Sequence, residues 1–174
     1  MAFLLIGLFL TLVSLIVYKA FNRKAPAEFP TELPAFELIT IDGLLFTSDS
    51  VRSGKMGLVF YSPGCLFCEH EVKELAKHAV SFEGSQFLFI TTAPLDSAVA
   101  FTLRNGIDAA PHFYSLVDTT FMTPLLFGLR TIPTTLIYNE DKILFKGFEG
   151  EVNAAKLFKT MHQYDAAKEK AGLE

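Results

Sequence analysis

Gly57-Leu58-Val59-Phe60-Tyr61 is apolar or glycine at every position and stops at Ser62-Pro63-Gly64. A strand with one wet face alternates apolar and polar residues; an unbroken run reads as a strand buried on both faces. Such a strand sits inside a sheet with both faces covered, which excludes an open meander or a helical bundle. Past the glycine the pattern turns helical from Leu66 to about Phe82, with Val72, Leu75, Ala76 and Ala79 at three- and four-residue steps. The junction therefore reads strand, tight turn, helix.

The remaining segments repeat that alternation. Ala35–Thr40 and Leu44–Phe46 flank Asp42-Gly43 and read as a hairpin. Gln86–Thr91 reads as a second buried strand, followed by a helix over Asp96–Asn105 capped by Asp96 or Ser97 and ended by Gly106. His112–Val117 reads as a strand and Thr119–Gly128 as a short helix broken by Pro124. Thr134–Tyr138 and Lys142–Phe148 form a late hairpin around Asn139-Glu140-Asp141. Glu151–Lys170 closes the chain as an amphipathic helix, with Val152, Ala155, Leu157, Phe158 and Met161 on its apolar side. The expected class is α/β, a mixed central sheet covered by helices on both faces, with an antiparallel edge from the late hairpin.

The N-terminus has a different character. Met1–Tyr18 carries no charged side chain. Eighteen helical residues rise about 27 Å, close to the roughly 30 Å of a bilayer's hydrocarbon core. A cleaved signal would want a basic start and a small-residue cleavage site, and neither is present. The expected organisation is a transmembrane anchor over 1–20, a proline-rich juxtamembrane linker over 21–34, and one domain over 35–174. Lys19, Arg23 and Lys24 follow the span and by themselves favour a cytoplasmic domain. Beyond residue 24 the chain holds 12 basic and 19 acidic side chains. That balance, with no basic patch, argues against nucleic acid as a partner.

The two cysteines, Cys65 and Cys68, both lie at the strand–helix junction. A zinc site would need two more ligands; no second cysteine pair exists, and His70 points away from the cysteine face by helical spacing. Attached haem would need His directly after the second cysteine, where Glu69 stands. Redox chemistry suits the position better. A helix N-terminus favours a thiolate at Cys65, and Cys68 lies on the same face of the first turn to resolve a mixed disulfide. Glu71 falls on or beside the apolar stripe below the sulfurs. It reads equally as a proton relay for Cys68 or as an ordinary first-turn acid. Pro133, in Arg130–Tyr138 (RTIPTTLIY), stands just ahead of a strand. A cis Ile132–Pro133 bond there would leave the Ile132 backbone open to a substrate strand; a trans proline is the commoner case.

Together, FELITIDG, LVFYSPGCLFC, Glu71 in HEVKEL, and TIPTTLIY followed by an acidic turn and KGFEG resemble the thioredoxin fold. They are most similar to the membrane-tethered TlpA/ResA-like thiol–disulfide oxidoreductases, over residues 35–165. The resemblance implies a redox-active disulfide between Cys65 and Cys68, an acid at Glu71 serving Cys68, and a cis-proline at Pro133 that with Ile132 binds substrate. It further implies protein thiols and disulfides as partners, no cofactor, a monomer, and a domain on the extracytoplasmic side of its membrane. The chain departs from thioredoxin at Gly64, where Trp is usual, at Leu66-Phe67 between the cysteines, and at Val59, where thioredoxin carries a buried acid. These changes bear on reduction potential and substrate. The neighbouring peroxiredoxin branch has proline seven residues before its reactive cysteine, where Leu58 stands here. A non-catalytic interaction module would not need both cysteines, Glu71 and Pro133 in one frame.

Overall fold

A computed structural model describes residues 9, 11–15, 28–52 and 54–170, with side chains as far as 164. Its order is β1 (Glu37–Thr40), β2 (Leu45–Thr47), β3 (Met56–Phe60), α1 (Leu66–Lys77), β4 (Gln86–Thr91), α2 (Leu95–Asn105), β5 (Phe113–Val117), α3 (Thr123–Leu126), β6 (Thr134–Tyr138), β7 (Leu144–Glu149) and α4 (Ala154–Lys170). One seven-stranded sheet runs β2-β1-β5-β4-β3-β6-β7. The central strands β3, β4 and β5 are parallel; β6 joins β3 antiparallel, and the two hairpins form the edges. β3 and β4 are buried along their whole length, as their unbroken apolar character requires.

Alternation along β3 sends its side chains into two cores. Val59 faces a core with Phe87, Phe89, Cys68, Val72 and Leu75 of α1, Phe101 of α2, and Leu157 and Met161 of α4. Leu58 and Phe60 face a second core with Leu88, Ile90, Leu136, Tyr138 and Phe127. Both faces are covered, but unequally. Three long helices share the first face, and the four-residue α3 with its flanking loop covers part of the second.

The chain from Glu28 to Leu33, within the expected linker, also lies on the domain. Thr31 and Leu33 bond the backbone of β7 and of the turn before it, and Tyr138 Oη donates to the Pro30 carbonyl at 3.1 Å. Phe29 sits where a side chain at Gly147 would be, 2.4 Å from that missing Cβ. The expected anchor over 1–20 lies mostly outside the described residues, of which Phe9 and 11–15 are helical. No helix among the described residues is long and apolar enough to cross a membrane.

Several boundaries differ from the sequence reading. α1 ends at Lys77, where His78 leaves helical geometry, and Ala79–Phe82 continues as a separate 3-10 turn. α2 begins one residue before Asp96, after Pro94, and has no side-chain cap; Asp96 bonds its neighbour Ser97 instead. α4 begins after Asn153, whose Oδ1 accepts from Lys156 N at 2.8 Å. That start buries Ala154 and turns Ala155 outward.

Candidate active site

β3 delivers the chain to the end of the sheet, where Tyr61 N still bonds Ile90 O. Gly64, at φ +85°, lets the chain reverse into α1 in a region other side chains rarely adopt. Cys65 then stands as the N-cap of α1, with extended backbone geometry. Its Sγ accepts from Cys68 N at 3.3 Å, so one of the helix's unpaired N–H groups points at this sulfur. That bond and the helix dipole both favour negative charge there. Cys65 is partly exposed and Cys68 is fully buried. The two are joined as a disulfide with Cα atoms 5.2 Å apart. Attack from solution can therefore reach only the first sulfur directly.

One turn below Cys68, Glu71 is 1% exposed. Thr135 Oγ1 of β6 donates to its Oε1 at 2.5 Å, and Val152 N donates to its Oε2 at 3.1 Å. Burial nonetheless pushes its carboxyl up to about 7; the two hydrogen bonds only partly offset it, and the charge of Glu151 adds a little. A carboxyl near neutrality can both take and give a proton under ordinary conditions. Val59 lies directly across the sheet from Thr135. The acid beneath the disulfide thus comes from the helix and not from the strand.

The start of β6 completes the site. Thr134 pairs with Phe60, which places Ile132 and Pro133 one strand over from the cysteine turn. The Ile132–Pro133 peptide is cis. Pro133 is buried and its carbonyl accepts from Gly150 N at 2.9 Å, whereas Ile132 is 42% exposed. Arg130 forks onto Glu149 with bonds of 3.0 and 2.7 Å, tying this loop to the end of β7. Leu66 and Phe67, between the cysteines, are exposed.

All five residues singled out from the sequence therefore gather at one end of the sheet. Thr135 and the Val152 amide, the partners that hold Glu71, went unpredicted. Thr135 left a trace, a hydroxyl at an inward register of an apolar strand. The Val152 amide left none, because a backbone donor has no sequence signature.

No family model matches the chain, and no curated protein matches it in sequence. Solved structures do match. MTB (Mycobacterium tuberculosis) dsbF superposes with a TM-score of 0.67 at 20% identity, covering 78% of this chain and 98% of that one. StoA from Bacillus subtilis gives 0.61 at 19% identity over 75% of this chain and 98% of its own. The chain has a thioredoxin-like fold. Within that fold the peroxidoxin BcpB of M. tuberculosis matches as well as dsbF, with a TM-score of 0.67 at 20% identity over 78% of this chain and 97% of its own. The likeness shows the fold, and what the site does is read from its own side chains.

Proposed function

We propose that the chain is a membrane-anchored thiol–disulfide oxidoreductase that exchanges disulfides with protein partners through Cys65 and Cys68. One observation carries this reading: a partly exposed cysteine capping α1, bonded to a buried cysteine that has a near-neutral buried carboxyl one turn below. In the reducing direction the Cys65 thiolate attacks a partner disulfide, forming a mixed disulfide and expelling one partner thiolate. Cys68 gives its proton to ionised Glu71 and attacks Cys65 Sγ, expelling the second partner thiolate. The partner gains two electrons and, with two protons, becomes a dithiol; Cys65–Cys68 becomes a disulfide. An external dithiol restores the reduced pair. Run backward, the same steps oxidise a partner, and protonated Glu71 returns its proton to Cys68.

Ile132 and Pro133, one strand from the cysteine turn, line the seat of the partner's backbone. Met1–Tyr18 anchors the chain, which acts as a monomer with its domain on the extracytoplasmic side; the extended likeness to tethered oxidoreductases supports that side over the three basic residues. The test is reduction of a protein disulfide by the full chain in detergent. Wild type is active, Cys65→Ser is inactive, and Cys68→Ser accumulates a mixed disulfide. Equal behaviour of all three would end the redox assignment. Peroxide turnover without a disulfide substrate would favour a peroxidase instead. Protease protection of the domain in intact spheroplasts would overturn the sidedness.

A further inference from the structure

The parallel strands β3, β4 and β5 all end on the dithiol side of the sheet, and β6 begins there. The segment from Asp118 to Pro133 crosses that end from β5 to β6, carrying α3. Among its exposed side chains are four large apolar ones, Phe121 at 66%, Met122, Leu125 at 76% and Ile132, beside the polar Thr119, Thr120, Arg130 and Thr131. Leu66 and Phe67 face solvent on the other side of the same rim. The crossing is built to hold this shape. Asp118 accepts four hydrogen bonds from the N–H and hydroxyl groups of Thr120 and Thr123, at 2.6–2.9 Å. Phe121, between those two threonines, has φ +60°, which a bulky side chain adopts only when its surroundings impose it. The Asp118 bonds to Thr120 and Thr123 hold that conformation, and the Phe121 ring stays exposed.

The direction from which the chain reaches the domain identifies what covers this rim. The segment Glu28–Leu33 runs along β7, with Leu33 bonded to Lys142 at the far end of the sheet. Glu28 lies at the other extreme, its carbonyl 2.7 Å from where a Cβ on Gly128 would stand. The chain thus joins the domain on the dithiol side, beside the apolar crossing. Nine residues separate Tyr18 from Glu28. Fully extended they reach roughly 30 Å, less than the diameter of a domain this size. Lys19, Arg23 and Lys24 are attracted to anionic headgroups, and past them only Ala25, Pro26 and Ala27 remain as spacer. Of the acids near the rim, Glu69 and Glu149 are each in an ion pair, with Arg104 and Arg130, whereas Glu28 and Glu37 are exposed and bound the apolar patch on its other sides.

We propose that the dithiol end docks on the bilayer surface, with Phe121, Met122 and Leu125 inserted at the headgroup level and Cys65 presented to disulfides at the membrane surface. This rests on the anchored reading of Met1–Tyr18. Apolar side chains on a rigid rim beside a basic tether suit an interfacial depth of about 5–10 Å.

The chain contains no Trp, so a single introduced indole reports its own surroundings. Phe121→Trp and Leu125→Trp probe the rim. Leu44→Trp probes the opposite end, at a position as exposed as Phe121, each at 66%. The full-length variants are reconstituted in phosphatidylcholine–phosphatidylglycerol vesicles with and without dibromo-phosphatidylcholine. Bromolipid is expected to quench both rim reporters at least about twofold and to leave the Leu44→Trp emission nearly unchanged, as interfacial insertion requires. Flotation with vesicles after alkaline carbonate tests the anchor separately. A chain that floats while all three indoles quench alike, or none does, overturns the docking and leaves the anchor standing. A chain that does not float removes both. Rim emission that shifts on adding a disulfide-bonded peptide, with no bromine quenching, overturns the lipid assignment in favour of a polypeptide occupant.

Discussion

Glu71 and Asp118 are each 1% exposed, yet their carboxyls shift in opposite directions. Burial pushes both up. At Asp118 four hydrogen bonds from two threonines outweigh it, and the carboxyl falls below its usual range. At Glu71 two donors are too few, and the carboxyl rises to about 7. One acid is thereby a charged structural post and the other a group that changes charge near neutrality. Glu71 lies deeper in the protein and feels the stronger desolvation, and its smaller number of donors adds to the difference.

The largest test of that contrast removes the post. Asp118→Ala leaves the N–H and hydroxyl of buried Thr123, and those of exposed Thr120, without their acceptor, and is expected to destabilise the domain by roughly 4 kcal/mol in urea titration. Disulfide reduction by the fraction still folded should stay near wild type. A selective loss of activity would give Asp118 a chemical role and dissolve the contrast.

The second test uses pH. With a folded value near 7 against 4.5 unfolded, Glu71 binds more protons in the folded state between those limits. Its contribution to stability is therefore greatest below about pH 4.5, declines as pH rises towards 7, and levels off above, a total change of about 3 kcal/mol. Asp118 has the opposite sign, its contribution being lost as pH falls through the ordinary aspartate range. Denaturant titrations of the oxidised protein from pH 4 to 8 should show the Glu71 decline, and Glu71→Gln should flatten it. A decline that persists in Glu71→Gln belongs to another group.

The third test is catalytic. Glu71→Gln preserves shape but cannot exchange a proton, so resolution of the mixed disulfide is expected to slow about 100-fold, some 2.7 kcal/mol. Attack by Cys65 on the partner should change little. Stopped-flow accumulation of the mixed disulfide separates the two steps, and unchanged resolution would reduce Glu71 to a packing residue.

What the sequence disclosed, and what it hid, follows the range of the interactions. Gly57–Tyr61 followed by Ser-Pro-Gly is a local signal, and the strand, turn and helix it announced are all present. Glu71 is legible as an acid near an apolar stripe, and the sequence leaves its burial open between two readings, because that burial depends on β6 and on the loop before α4. The strap over Glu28–Leu33 reads as linker because its prolines are local while its seat, Gly147, lies more than a hundred residues away. The α1 boundary was lost because Ala79–Phe82 keeps an apolar pattern after the helical hydrogen bonds have changed type.

The smallest effect tests the donor count itself. Thr135 is the stronger contact of Glu71, at 2.5 Å against 3.1 Å for Val152 N. Thr135→Val keeps the shape of the side chain and removes one donor. Burial then acts with less opposition, and the Glu71 carboxyl moves further up. Glu71 stays protonated to higher pH, so resolution of the mixed disulfide by Cys68 should reach its plateau at higher pH. Loss of one hydrogen bond is worth about 1 kcal/mol, which sets the rate loss at roughly threefold at neutrality and roughly fivefold well below it. The plateau rate itself should not fall, because the ionised carboxylate is at least as strong a base as before. A lowered plateau with no displacement would mean that Thr135 positions the carboxylate rather than tuning its charge, and the contrast with Asp118 would then rest on geometry instead of donor number.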